Sequence, residues 1–402
     1  MPSPAPVTRR ALALVALSAA LAACGDATPS VAPVLDSAVV ADGVGDAAAA
    51  LDAGAPAVDV PPEPDVPIET FRPDAASPQT AITAPADTWT WVPFPDSACG
   101  NGEPTGIGVS LHPGARRVVI FLQGGGACWD GFTCYGVNTA VNLSSGYGPA
   151  AFASETRGLA SFTLFNRGNA RNPWRDANFV YVPYCTGDVH GGDRIIEHRW
   201  GSRVVRTFHV GARNMDAFLR RLRPTFPDAE RVTLSGLSAG GFGAGIHWER
   251  VAEAFPGVRV DLLDDSGPPM APPGERWAQW RNTWNVQLPA GCPECRDRLE
   301  ALLPYYARRF PPPARLALLS YTQDTTISAF FGVTPEQFEA QLNDVTRRLI
   351  DPIPNARRFY VADQGHVLIG NNGTIRGGDG TVLIDWLGRM NSDDPAWANV
   401  LP

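Results

Sequence analysis

The chain has 402 residues, with 33 basic against 41 acidic side chains and a formal net charge of −8. Every basic residue is an arginine, which excludes Schiff-base, serine–lysine and phosphate-loop lysine chemistry. Eleven acidic residues against the single Arg72 lie between residues 25 and 88, so the remainder is close to neutral and offers no basic stripe to nucleic acid.

In chain order, Arg9 and Arg10 precede "ALALVALSAA", an apolar run too short to span a bilayer, and "LAAC" follows. Leu21-Ala22-Ala23-Cys24 resembles a bacterial lipoprotein signal, in which cleavage before the cysteine leaves a lipidated thiol. Residues 1–24 are therefore expected to be a signal peptide and Cys24 a membrane anchor. Residues 25–88 are rich in Ala, Pro and Asp and have no apolar period. They read as a disordered tether able to hold a domain about 40–50 Å from its anchor. The expectation is an exported, membrane-anchored monomer at the periplasmic or outer surface, folded over residues 89–402.

Six near-continuous apolar runs then predict strands at 116–123, 178–184, 231–236, 258–264, 315–321 and 357–363. Such runs suit strands covered on both faces, and helix-length stretches separate them, the pattern of an α/β fold around a mostly parallel sheet. Phe208, Ala212, Met215, Phe218, Leu219 and Leu222 recur at helical spacing, with Pro224 as the expected stop. Residues 270–314 interrupt the alternation and read as a cap-like insertion.

Open α/β sheets bind ligands beyond the carboxyl ends of their strands. There, Gly236-Leu237-Ser238-Ala239-Gly240 matches Gly-x-Ser-x-Gly between an apolar strand and a small-residue helix start. Glycines are common in this chain, so the context carries more weight than the pattern. A serine nucleophile needs a base, and the usual order is Ser, acid, His. Of six histidines only His247 and His366 follow Ser238, and His247 sits nine residues into the next helix. His366 is the candidate base. Asp324 is favoured as the acid because it follows the second strand after the serine, with Asp265 the alternative.

"LQGGGACWD" supplies glycines whose N–H groups can approach a developing oxyanion, and Gly125, Gly126 and Ala239 form the candidate donor set. A flexible turn or a phosphate cradle is the competing reading, the latter weakened by the absence of lysine. Asp188 and His190 are candidates for lining the pocket or for a structural turn. Trp129, Tyr147, Trp277, Trp280 and Trp284 are candidates for stacking on a sugar or for the core. With Cys24 lipidated, six cysteines remain, and an even set in an exported protein favours disulfides. "CPEC" has the spacing of half a zinc or redox site without a matching second half, so Cys292–Cys295 reads as a local disulfide. Neither a metal nor an organic cofactor is expected.

Taken together, "CGNGEPTG", "FLQGGGACWDGFTC", "NPWRDANFVYVPYCTGDVHGG", "GLSAGGFG" and "LDDSGPP", with the Asp324 and His366 loops, resemble the pectin acetylesterase and Notum family of serine esterases. The resemblance runs in patches from Cys99 to His366. It implies an α/β-hydrolase-like fold with nucleophile, acid and base on Ser238, Asp324 and His366, an oxyanion hole at Gly125, Gly126 and Ala239, and disulfides Cys128–Cys134 and Cys99–Cys185. Two departures stand out: Gln123 where the family usually has glutamate, and Gly126 and Ala127 where a bulky aromatic is frequent. The function expected is a carboxylic ester hydrolase, with an O-acetylated polysaccharide as favoured substrate. A lipase-like or small-molecule esterase is one alternative, and a surface binding protein without turnover is another.

Overall fold

The computed structural model describes Glu69, Arg72 and residues 77–159, 162–370 and 372–402. The expected signal peptide, Cys24 and most of the expected tether lie outside the described residues.

Among the described residues eight strands form one sheet in the order β1-β2-β4-β3-β7-β8-β9-β10. They are β1 (Thr90–Phe94), β2 (Thr105–Ser110), β3 (Arg117–Leu122), β4 (Asn178–Val182), β7 (Arg231–Leu237), β8 (Arg259–Asp265), β9 (Leu316–Tyr321) and β10 (Ala356–Val361). From β4 to β10 every pairing is parallel, while β1 and β2 add an antiparallel edge. The six predicted strands are the six parallel ones. A separate hairpin joins β5 (Arg194–Trp200) to β6 (Arg203–His209).

Alternation along the parallel strands explains why each run is apolar throughout. Val118, Ile120, Leu122, Val232, Leu234 and Leu262 point into one core, whereas Val119, Phe121, Phe179, Leu263 and Leu319 point into another. The first core is closed by α2 (Gly211–Thr225) and α3 (Ala239–Ala254) through Met215, Phe218 and Trp248. The second is closed by α1 (Pro149–Leu159) and α8 (Leu383–Asn391) through Phe152, Leu383 and Trp386. The result is a three-layer α/β fold of the α/β-hydrolase kind. Pro224 falls inside α2, in its last turn, because only one helical residue follows it and little ladder is lost.

Residues 270–314 make the crossover from β8 to β9. They contain α4 (Arg276–Trp284) and α5 (Leu302–Arg309), and Tyr306 of α5 donates its hydroxyl to Gly245 O of α3 at 2.8 Å. This stretch is built onto the main core rather than apart from it.

The chain leaves β3 toward β4 on one side and returns to β7 on the other, so the carboxyl ends of β3 and β7 flank a switch point. The oxyanion-loop glycines follow β3, and Ser238 follows β7. Strand order alone therefore brings two segments more than 100 residues apart to one crevice.

Candidate active site

Ser238 follows β7 and caps α3 with φ 55° and ψ −124°, a conformation that L-residues rarely hold unless the surroundings enforce it. Two constraints enforce it. The Ser238 N–H donates to Asp265 O at 2.8 Å, and Phe242 N–H donates back to Ser238 O at 3.1 Å. Gly240 is required two residues on, because a Cβ there would collide with the Leu122 carbonyl of β3. The turn is thereby pressed against the loop after β3, where a Cβ on Gly124 would come within 3.0 Å of Ser238 Cβ.

That loop presents Gly125 and Gly126. Gly126 has φ 75° and no room for a side chain beside Thr139 O. Among the described residues, no hydrogen bond occupies the N–H groups of Gly125, Gly126 or Ala239.

Asp324 caps α6 (Thr325–Phe331): its Oδ1 accepts from Ile327 N at 2.9 Å. Its Oδ2 lies 2.7 Å from His366 Nδ1. Burial opposes a charge on His366, but the charge and hydrogen bond of Asp324, with the charge of Asp265, outweigh it and raise the imidazole above its ordinary value. Ser238 retains 7% exposure and the His366 side chain 12%, so both reach solvent while Asp324 is sealed. Among the described residues the Ser238 hydroxyl makes no hydrogen bond, so the contact from His366 to Ser238 is open in this structure.

Among the described residues no hydrogen bond joins Asp265 to the His366 ring. Its Oδ2 accepts from Leu368 N and Ile369 N, each at 2.8 Å, and its Oδ1 accepts from Ser266 Oγ at 3.0 Å. Neighbouring Asp264 closes the strand-end turn by accepting from Gly267 N at 3.0 Å. The two candidate acids are thus distinguished by geometry, with Asp324 on the imidazole.

The other candidates are spent on the fold. The fully buried Asp188 accepts from Thr186 Oγ1 at 2.5 Å, Gly192 N at 3.1 Å and Gly211 N at 2.8 Å, tying its loop to the start of α2. His190 lies 2.8 Å from Gln123 O through Nε2, and burial pushes its pKa down to about 4. His247 is likewise buried, with Nε2 2.7 Å from His190 O. Trp129, Trp277, Trp280, Trp284 and Tyr147 are all buried; Trp129 packs on Trp280 with ring centroids 5.1 Å apart. Stacking on a sugar needs an exposed ring face, and all five rings are buried.

Among the described residues there are three disulfides, Cys99–Cys185, Cys128–Cys134 and Cys292–Cys295. They are the pairs that the family resemblance and the remaining cysteines imply. Cys128, Cys134 and His209 cluster closely enough to hold a metal ion, but both sulfurs are in a disulfide and neither is a thiolate. A cavity of about 240 Å³ lies at the opposite end of the sheet, against Val118 and Asn178 at the starts of β3 and β4.

Residues 94–273, from β1 through the Ser238 turn to the start of the crossover, match the family model described as Pectinacetylesterase. Over these residues the chain is similar to the pectinacetylesterase/Notum family. Among its relatives, palmitoleoyl-protein carboxylesterase notum1' of Xenopus laevis is 28% identical over 178 residues, 42% of this chain and 34% of that protein. Palmitoleoyl-protein carboxylesterase NOTUM of Homo sapiens is 30% identical over 177 residues, again 42% of this chain and 34% of that protein. A protein named inactive palmitoleoyl-protein carboxylesterase notum1b, from Danio rerio, is 32% identical over 98 residues, 23% of this chain and 65% of that protein. The match spans about a third of the length of the first two relatives.

Both departures from the family pattern have a local structural counterpart. Gln123 donates from Nε2 to Glu155 Oε1 at 3.1 Å and accepts from Tyr184 N at 2.9 Å. Glu155 also accepts from the hydroxyls of Tyr147 and Tyr181, each at 2.7 Å. A glutamate at 123 would set two carboxylates against each other, so the neutral amide suits this arrangement. At Gly126 the space beside the main chain is taken by Phe330, whose Cζ would lie 3.2 Å from a Cβ there. Sequence reasoning missed Glu155 and Phe330, which carry no motif, and gave Asp265 no role beyond that of alternative acid.

Proposed function

We propose that this protein is a serine carboxylic ester hydrolase. The observation that carries the reading is the contact between Asp324 and His366, held at the same end of the sheet as the strained Ser238 turn. In this reading the Ser238 hydroxyl attacks the ester carbonyl carbon while His366 Nε2 takes its proton. The tetrahedral oxyanion is received by the N–H groups of Gly125, Gly126 and Ala239. Collapse expels the alcohol, which leaves with the proton from His366, and an acyl-Ser238 ester remains. Water then gives a proton to His366 and attacks the acyl carbon, and the acid departs as the serine regains its proton. Asp324 keeps Nε2 unprotonated and aimed by holding Nδ1–H.

The family description and the names of the relatives share one chemistry, cleavage of a carboxylic ester, which supports the reaction class. Phe330 against Gly126 supports a small acyl group, and we favour O-acetyl groups on a polysaccharide as the substrate. Work outside the cytoplasmic membrane, from a lipid anchor at Cys24 and on the tether of residues 25–88, completes the proposal.

The test is to treat the purified protein and its Ser238→Ala variant with a fluorophosphonate probe, then to assay acetate release from acetylated pectin. Labelling confined to the wild type, with acetate released, is expected. Equal labelling of both would overturn the nucleophile assignment. Absence of labelling and turnover in both would favour a binding protein, a possibility given weight by the inactive relative in Danio rerio.

A further inference from the structure

We propose that Asp265 is a positioning residue that sets the His366 loop in register with the Ser238 turn. This rests on the reading of Ser238 and His366 as nucleophile and base. One residue is bonded to both partners: its main-chain carbonyl accepts from Ser238 N, and its carboxylate accepts from Leu368 N and Ile369 N, two and three residues beyond His366. The adjacent Ser266 extends the grip, since its Oγ accepts from Val367 N at 3.2 Å while donating to Asp265 Oδ1. Three consecutive N–H groups after His366 are thus held by one Asp-Ser pair.

Backbone strain gathers around this pair. Ser238, Ser266 and the β-branched Val367 have φ of 55°, 57° and 56°, a region such residues leave unless surrounding bonds over-determine them. All three bond to Asp265 or Ser266, or belong to that pair. Without the carboxylate, Val367 is free to relax, and His366 turns with it. A base displaced by even an ångström loses rate rather than substrate affinity.

The carboxylate is fully buried, and an uncompensated buried charge is costly. Burial pushes the Asp265 pKa up to about 6, against the pull of the Ile369 and Leu368 N–H groups, Ser266 and His366. At neutral pH it is ionised and adds its field to that of Asp324 on the imidazole. The other titratable groups facing it are Asp264, itself buried and shifted upward, and Tyr321, whose pKa burial raises to about 12 beside Asp265, Asp363 and Asp324.

The experiment compares Asp265→Ala and Asp265→Asn by kcat, KM and the pH profile on nitrophenyl acetate, with near-ultraviolet circular dichroism as the check of fold. Ser238→Ala and His366→Ala are the controls. Loss of about 100-fold in kcat with KM within about 3-fold is expected for the alanine variant. Asparagine keeps an acceptor for Leu368 and Ile369, so it should recover kcat to within about 10-fold of wild type, and its acid limb should move to lower pH. A folded alanine variant with wild-type kcat overturns the proposal. So does an asparagine variant whose acid limb stays in place, and that measurement decides the matter if the alanine variant fails to fold. Full activity in either control would instead overturn the esterase reading beneath it.

Discussion

The carboxylate of Asp324 is shared between a helix and a ring: one oxygen caps α6 at Ile327, and the other lies 2.7 Å from Nδ1 of His366. An acid that is also an N-cap has its direction set by the helix, so the imidazole it holds is aimed by secondary structure. Asp324→Asn separates the two duties. The amide oxygen still caps Ile327, but its NH₂ group then meets Nδ1, which must become an acceptor, and the proton moves to Nε2. A base with its proton on the working nitrogen cannot take one from serine. We expect kcat/KM to fall by about 10³- to 10⁴-fold while the thermal midpoint changes little. A parallel loss of stability and rate would show that the cap, rather than the tautomer, had been damaged.

The pKa of His366 gives activity and stability opposite pH trends. Folding raises it, so the protonated ring is favoured in the folded state. Its contribution to stability is then complete below the unfolded value near 6.5 and is lost as pH rises through the higher folded value. The catalytic form is the neutral one, so kcat/KM rises over that same interval. Chemical denaturation of wild type and His366→Gln at about pH 5.5 and about pH 8.5 should show a stability difference at the acid end that shrinks at the alkaline end. A difference independent of pH would mean that the ring contributes only packing.

The legible part of this fold was the part buried on both faces. Runs such as "RRVVIFLQ" and "RVTLSG" announce central strands because neither face meets water. β1 contains Pro93, β2 contains Gly106 and Gly108, and β6 interleaves Arg203 and Arg206 with apolar residues, so these edge and hairpin strands gave no such signal. Ser238 was legible because its turn has a local pattern. Asp324 and Asp265 were harder to separate, since both follow strands after the serine and differ only in which atoms they meet across the fold. Glu155 and Phe330 reach the site from helices, where spacing along the chain says nothing about the partner on the opposite loop.

Phe330 is the place to test acyl size. Its ring packs on Gly126, near Trp129 at a centroid distance of 6.4 Å, and Arg276 Nη1 holds its carbonyl at 2.7 Å. Phe330→Ala should open space beside the donor loop and raise the rate ratio of octanoyl to acetyl nitrophenyl esters by about 10-fold, one to two methylene groups' worth of binding. It should also cost about 3–5 kcal/mol of stability, as truncation of a buried phenylalanine does. An unchanged chain-length profile in a folded variant would place the acyl group elsewhere.

Two of the disulfides should divide stability and activity between them. Cys99–Cys185 spans 86 residues and ties the approach to β2 to the segment after β4. Chain-entropy arguments give it about 4.6 kcal/mol, so Cys99→Ser with Cys185→Ser should lower the denaturation midpoint strongly. Cys128–Cys134 spans only 6 residues, for about 2.2 kcal/mol on the same argument. Yet it sits two residues beyond Gly126, where Cys128 N donates to Gly187 O at 2.9 Å and Cys128 O accepts from Trp284 Nε1 at 2.7 Å. Opening it loosens the loop that presents the oxyanion donors, and positioning of those donors is worth more to the rate than to the fold. Cys128→Ser with Cys134→Ser should therefore lose the smaller share of stability and the larger share of kcat, measured at a temperature where both double variants remain folded. The reverse order would mean that the glycine loop holds its shape without the bridge.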